Sequence, residues 1–146
     1  MEKRFVLEIP TDLRAIERAV DLVVSRCQSC EGHARRFRLN FRVALAEALA
    51  NAVLYGNGSD PGKRVRVDVT LDATRVSARV TDQGAGFDPS TVGDPTAPEN
   101  LMKPCGRGLF LMRQLLDEVR FNERGNAVTL VLHLHETGAF DEAASA

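Results

Sequence analysis

The chain has 146 residues, 44% of them hydrophobic, which is enough for one globular domain with a substantial core. A formal charge of −1 argues against a nucleic-acid binder, which would be clearly basic, and no apolar stretch is long enough to span a membrane. Three cysteines, an odd number, suit a reducing compartment better than a disulfide framework, and the charged start Met1-Glu2-Lys3-Arg4 is not patterned as a signal peptide.

Phe5, Leu7 and Ile9 alternate as in a strand ended by Pro10. Thr11 or Asp12 is placed to cap a helix with the apolar stripe Leu13, Ile16, Val20, Val23, Val24 and Cys27. After Gly32 a second helix runs from about Ala34 to Tyr55, rich in the strong helix formers Ala and Leu, and Gly56 stops it. Val65, Val67, Val69 and Leu71 alternate, Asp72-Ala73-Thr74 turns, and Val76, Ala78 and Val80 alternate again, which predicts a hairpin. Four of the six prolines fall between Asp88 and Pro104, so that stretch is read as a loop and, beside a phosphate motif, as a nucleotide lid. An apolar helical segment follows through Leu116, and two strands, Val119–Glu123 and Val128–His135, flank Gly125-Asn126. Hairpins interleaved with helices predict a two-layer α/β (α+β) sandwich, a mostly antiparallel mixed sheet covered on one face. One domain over residues 1–137 is expected, with a small, acidic tail at 138–146 that frays.

Chemistry concentrates at three places. In the second helix Glu47 and Asn51 lie four residues apart, on one side of an otherwise apolar segment. Buried there without partners they would be costly, so they call for partners or a ligand. A carboxylate can take a proton from a hydroxyl, and an amide oxygen is a hard, neutral ligand suited to Mg²⁺. The second place is Asp82-Gln83-Gly84-Ala85-Gly86-Phe87, right after a strand. Its aspartate can accept from an exocyclic amine such as that of adenine, and its glycines admit close approach of a flat base. The third is Gly106-Arg107-Gly108-Leu109, where backbone N–H groups at a helix N-terminus favour phosphate. Each motif alone has a bland counterpart: a solvated helix face, a strand-ending turn, a loop-to-helix junction. Their order and spacing together are specific.

Other patterns fall short. Gly56 to Lys63 has the wrong spacing for a P-loop, and Arg64 stands where Ser or Thr would hold the metal. Neither glycine pair has the third glycine of a dinucleotide fingerprint. Cys27, Cys30 and His33 have metal-like spacing but number only three, so reduced thiols are the better reading. His133 and His135 share a strand face and are read as solvated or hydrogen-bonded.

The motifs resemble the boxes of the GHKL class of ATP-binding domains, which includes gyrase, heat-shock-type chaperones, histidine kinases and the MutL repair proteins. Glu47-x-x-x-Asn51-Ala52-x-x-Tyr55-Gly56-Asn57 and the run from Gly106 through Asp117-Glu118-Val119 are most similar to the small anti-sigma-factor serine/threonine kinases of bacteria. The likeness covers roughly residues 4 to 135. It implies the Bergerat ATP-binding fold and a cytoplasmic serine/threonine kinase that uses ATP and Mg²⁺. Its substrate would be a STAS-type anti-sigma-factor antagonist, with a sigma factor as the other partner in a partner switch and a homodimer in keeping with the group.

By the same resemblance Glu47 is the general base, and Asn51 holds Mg²⁺. Asp82 reads the adenine amine, Gly84, Gly86 and Phe87 bound the base, and Gly106, Arg107, Gly108 and Leu109 belong to the phosphate site. One departure stands out: kinases of this group often carry an arginine shortly before the second glycine box, where this chain has Lys103-Pro104-Cys105. Lys103 or Arg107 takes its place in this reading. Two alternatives remain: an ATP-binding anti-sigma module that no longer phosphorylates, and a detached histidine-kinase catalytic domain, against which the absence of a dimerisation helix pair speaks.

Overall fold

The computed structural model describes residues 2–27, 36–86 and 104–134. The expected lid residues before Pro104, Phe87, Lys103, Cys30, His33, His135 and the acidic tail all lie outside them. Five strands form one sheet: β1 (Lys3–Pro10), β2 (Arg64–Leu71), β3 (Arg75–Thr81), β4 (Glu118–Phe121) and β5 (Ala127–His133). Their order is β1-β2-β3-β5-β4, and every pairing among the described residues is antiparallel. β1 is an edge strand, registered with Phe5 opposite Val69, and its last position tolerates Pro10 because the lost N–H faces no partner strand.

Three helices cover the apolar face. Asp12 caps the chain after β1, its Oδ1 accepting from the Arg14 N–H at 2.9 Å. A single 3₁₀ turn, Leu13–Ala15, leads into α1 (Ile16–Arg26). That tighter turn leaves Leu13 half exposed and outside the buried stripe. The second helix is one continuous run with a wide π turn at each end: Arg36–Phe41, then α2 (Arg42–Asn51), then Ala52–Gly56. The last turn widens because the Asn57 N–H donates to the Ala52 carbonyl, five residues back, at 2.7 Å. α3 spans Pro104–Leu115, with proline at the first helical position, where its missing N–H costs nothing. Pro104, expected to close the loop, opens this helix instead.

Alternation in the strands translates directly into the core. Val65, Val67 and Val69 from β2, Val76 from β3, and Leu130 and Leu132 from β5 are fully buried. They meet Phe41, Leu45 and Leu49 of the second helix, Val23 of α1 and Met112 of α3. α2 occupies the centre, packing on α1, α3 and the middle of the sheet. Cys27 is buried at the end of α1, and desolvation pushes its thiol up to about 11, so it stays protonated and inert. β4 ends at Phe121, two residues earlier than alternation suggests, because Asn122 turns the chain toward β5. Its Oδ1 accepts from the N–H groups of Gly125 and Asn126 at 2.8 and 3.1 Å.

Candidate functional site

A cleft of about 420 Å³ opens between α2, α3 and the ends of β3 and β5. That lies within the usual span of small-molecule sites. Helical spacing puts Ala48, Asn51, Ala52 and Tyr55 of the second helix along one wall, with Leu109 and Met112 of α3 opposite. Val80, Phe121 and Val128 supply apolar sheet surface, and Asp82, Gly86 and Asn126 close the end. Two polar side chains from separate motifs, Asn51 and Asp82, thus face one largely apolar space.

Asp82 is held from several directions. Its N–H donates to the Asn126 carbonyl at 2.9 Å, and Asn126 Nδ2 returns a bond to the Asp82 carbonyl at 3.3 Å. One carboxylate oxygen accepts from the Gly84 N–H at 2.8 Å, while the other lies on the Cα of Gly56, where any Cβ would overlap it. Burial raises the carboxyl above its ordinary range, opposed by the Gly84 N–H and by the positive charges of Lys63 and Arg124. A carboxylate kept partly out of water, at the end of an apolar cleft, is primed for a directional hydrogen bond from a ligand.

The glycines near Asp82 serve the protein's own packing first. A Cβ on Gly84 would run into the backbone carbonyl of Gly56. Gly86 has φ +83° and would collide with the carbonyl of Arg124 in the β4–β5 turn. The close approach read from sequence is therefore, at these two positions, an approach of backbone to backbone. Gly86 lines the cleft; Gly84 is buried behind it.

Glu47 lies one turn before Asn51, half-buried, beside the cleft rather than in its lining. Gly108 faces both: a Cβ there would sit 2.9 Å from Asn51 Nδ2 and 3.2 Å from Glu47 Oε2. The second glycine box is inside α3, not ahead of it. Gly106 falls in the first turn, where backbone N–H groups have no helical partner, whereas Gly108, two residues further on, has its N–H within the helical ladder. Leu109, read with the phosphate site, is buried and forms part of the cleft wall.

Sequence reasoning missed several contributors. Phe121 and Asn126 enter from a hairpin that read only as a turn. Asn57, quoted in the helix motif without a role, is buried and bonded to three segments. Gly56 read as a helix stop, yet it seats both Asp82 and Gly84.

Known proteins place this geometry. The serine/threonine-protein kinase BtrW of Bordetella bronchiseptica is 33% identical over 104 residues, covering 67% of this chain and 72% of its own length. A serine-protein kinase RsbW of Listeria monocytogenes is 27% identical over 114 residues, covering 73% and 72%. An anti-sigma F factor of Anoxybacillus flavithermus is 28% identical over 105 residues, covering 67% and 70%. Residues 9–132 match the histidine kinase-like ATPase domain as a family, a span that takes in β2 to β5 up to Leu132, the three helices and every residue lining the cleft, and the chain belongs to that family.

Proposed function

We propose that this protein is an anti-sigma regulatory factor that uses Mg-ATP to phosphorylate serine or threonine on a STAS-type antagonist, in a partner switch with a sigma factor. Membership of an ATPase family implies ATP as the nucleotide, and relatives named as serine/threonine kinases and as an anti-sigma factor support the reaction and the setting. The carrying observation is the convergence of Asn51 and Asp82 on one apolar cleft, with the Glu47 carboxylate a single turn from Asn51. The pocket's composition fits a purine: flat apolar walls and one desolvated carboxylate at the end to accept from an amine.

In this reading Asp82 accepts from the adenine amine, and Gly86 admits the base edge. Gly106 and Arg107, in the first turn of α3, would bind the phosphates through backbone N–H groups, and Lys103 lies just before them in sequence. Among the described residues no three His, Cys, Asp or Glu side chains cluster to hold a metal. Mg²⁺ would be shared between Asn51 Oδ1 and the phosphates, as this ion commonly is, and when bound it neutralises phosphate charge. Glu47 orients the partner's hydroxyl and takes its proton as the new bond to the γ-phosphorus forms and the bond from that phosphorus to the β–γ bridging oxygen breaks, so that ADP leaves. The single domain spans residues 1–137 and acts in the cytoplasm; among the described residues no helix is long and apolar enough to cross a membrane.

The test is Glu47→Gln. A positioned general base contributes about 10²–10⁴ in rate, so labelling of the partner from radioactive ATP should fall by that order while ATP affinity and partner binding persist. Asn51→Ala should bind ATP without dependence on Mg²⁺. A partner that binds tightly yet is never labelled by the wild type would instead favour an ATP-binding module without transfer. The absence of an arginine before Gly106 supports that second reading.

A further inference from the structure

Asn57 is only 2% exposed, does not line the cleft and takes no part in the proposed chemistry. Its amide is nevertheless engaged at both ends. Oδ1 accepts from the backbone N–H of Gln83 at 2.7 Å. Nδ2 donates to Thr11 Oγ1 at 2.9 Å and to the Arg64 carbonyl at 3.1 Å. The Thr11 hydroxyl in turn donates to the Lys63 carbonyl at 2.6 Å. The orientation of the amide is dictated by its partners, since Gln83 offers a donor and Arg64 an acceptor. Gln83 is secured a second time through its side chain, Oε1 accepting from the Arg64 N–H at 2.6 Å.

Gln83 stands between Asp82 and Gly84. Asn57 therefore grips the middle of the loop whose first residue carries the cleft carboxylate, and whose third presses on Gly56, the residue just before Asn57. A half-buried carboxylate is drawn back toward water. Asn126 holds the Asp82 backbone and Arg64 the Gln83 side chain, but the Gln83 N–H, between the carboxylate and Gly84, is held by the buried Asn57 amide, which resists that pull. Hydrogen bonds weaken steeply as they bend, so a small rotation of Asp82 degrades recognition of a ligand amine more than it disturbs packing.

We propose that Asn57, supported by Thr11 at the end of β1, is a positioning residue for nucleotide recognition that fixes the angle of Asp82 through the Gln83 backbone; this rests on the reading of the cleft as an adenine site. Asn57 acts as a relay between β1, β2 and the loop after β3, and adenine selectivity depends on a side chain that never touches the base.

Calorimetry with Mg-ATP and Mg-GTP on wild type, Asn57→Ala, Asn57→Asp and Thr11→Val tests this, with circular dichroism giving the folded fraction. Folded Asn57→Ala should lose about tenfold or more in ATP affinity, and its preference for ATP over GTP should shrink. Asn57→Asp keeps an oxygen for the Gln83 N–H and should retain more of both than the alanine variant. Unchanged affinity and preference per folded molecule, with only a lower unfolding temperature, would make Asn57 purely structural and overturn the proposal. If Asn57→Ala does not fold, Asn57→Asp and Thr11→Val decide: an ATP:GTP ratio equal to wild type in both overturns it, and a reduced ratio in either upholds it. A wild type that binds neither nucleotide removes the adenine site itself, and the relay with it; wild-type ATP binding with indifferent variants removes the relay alone.

Discussion

Gly108→Ala separates stability from function. The residue lies inside α3, four positions after Pro104. An added methyl would stand 2.9 Å from Asn51 Nδ2 and 3.2 Å from Glu47 Oε2, where ordinary contact begins at 3.4 Å. The amide must therefore retreat by 3.4 − 2.9, about 0.5 Å, and the carboxylate by about 0.2 Å. Both atoms end flexible side chains, so the strain is that of a distorted rotamer, about 0.5–1.5 kcal/mol. Against it, alanine in a helix interior is favoured over glycine by about 1 kcal/mol. The two nearly cancel, and at about 3 °C per kcal/mol for a chain of this size the melting temperature should move by only a few degrees. Function has no such compensation. Displacement on the ångström scale of groups that position reactants costs up to about 10²-fold, so partner labelling should fall about 10- to 100-fold, together with Mg²⁺-dependent ATP affinity. Labelling from radioactive ATP and a thermal melt, run on one preparation, read both quantities. Unchanged labelling by a folded variant would show that Gly108 does not abut working groups. A melting temperature lowered by more than about 10 °C would show that the side chains cannot absorb the methyl.

Asp82→Asn should weaken ATP binding about tenfold or more, since an amide presents a donor where the base also donates. It should at the same time leave the unliganded protein as stable or more so at pH 7. Burial raises the folded carboxyl above its ordinary 3.8, so the native state binds the proton more tightly than the unfolded one. Stability is therefore lost as pH rises through that window, and the neutral amide avoids the loss. The advantage should vanish below pH 3.8, where the acid is protonated in both states; a lower melting temperature for Asp82→Asn at pH 7 would contradict this. Gly84→Ala drives a methyl into the Gly56 carbonyl, which as backbone has little room to yield. It should cost about 1–3 kcal/mol in urea unfolding, with the midpoint falling at constant slope and ATP affinity falling with it. Wild-type midpoints would refute the contact.

Local pattern alone determined the two-layer architecture. Alternation in β2 and β3 named the buried valines, and the Ala- and Leu-rich run around Glu47 named the central helix, because burying one face imposes its period on the residues themselves. The candidate residues Glu47, Asn51 and Asp82 were legible for a related reason: polar groups at fixed offsets in apolar settings stand out without coordinates. Tertiary structure alone decided what these groups meet. Asn126 reaches Asp82 across 44 residues, Asn57 reaches Gln83 across 26 and Thr11 across 46. Such contacts leave no period, since one buried amide satisfied by distant backbone looks, in sequence, like any asparagine after a helix. The glycine boxes show the same division. Their positions could be read along the chain, but that Gly84 yields to Gly56, Gly86 to Arg124 and Gly108 to Asn51 and Glu47 depends on which surfaces the folded core presses together.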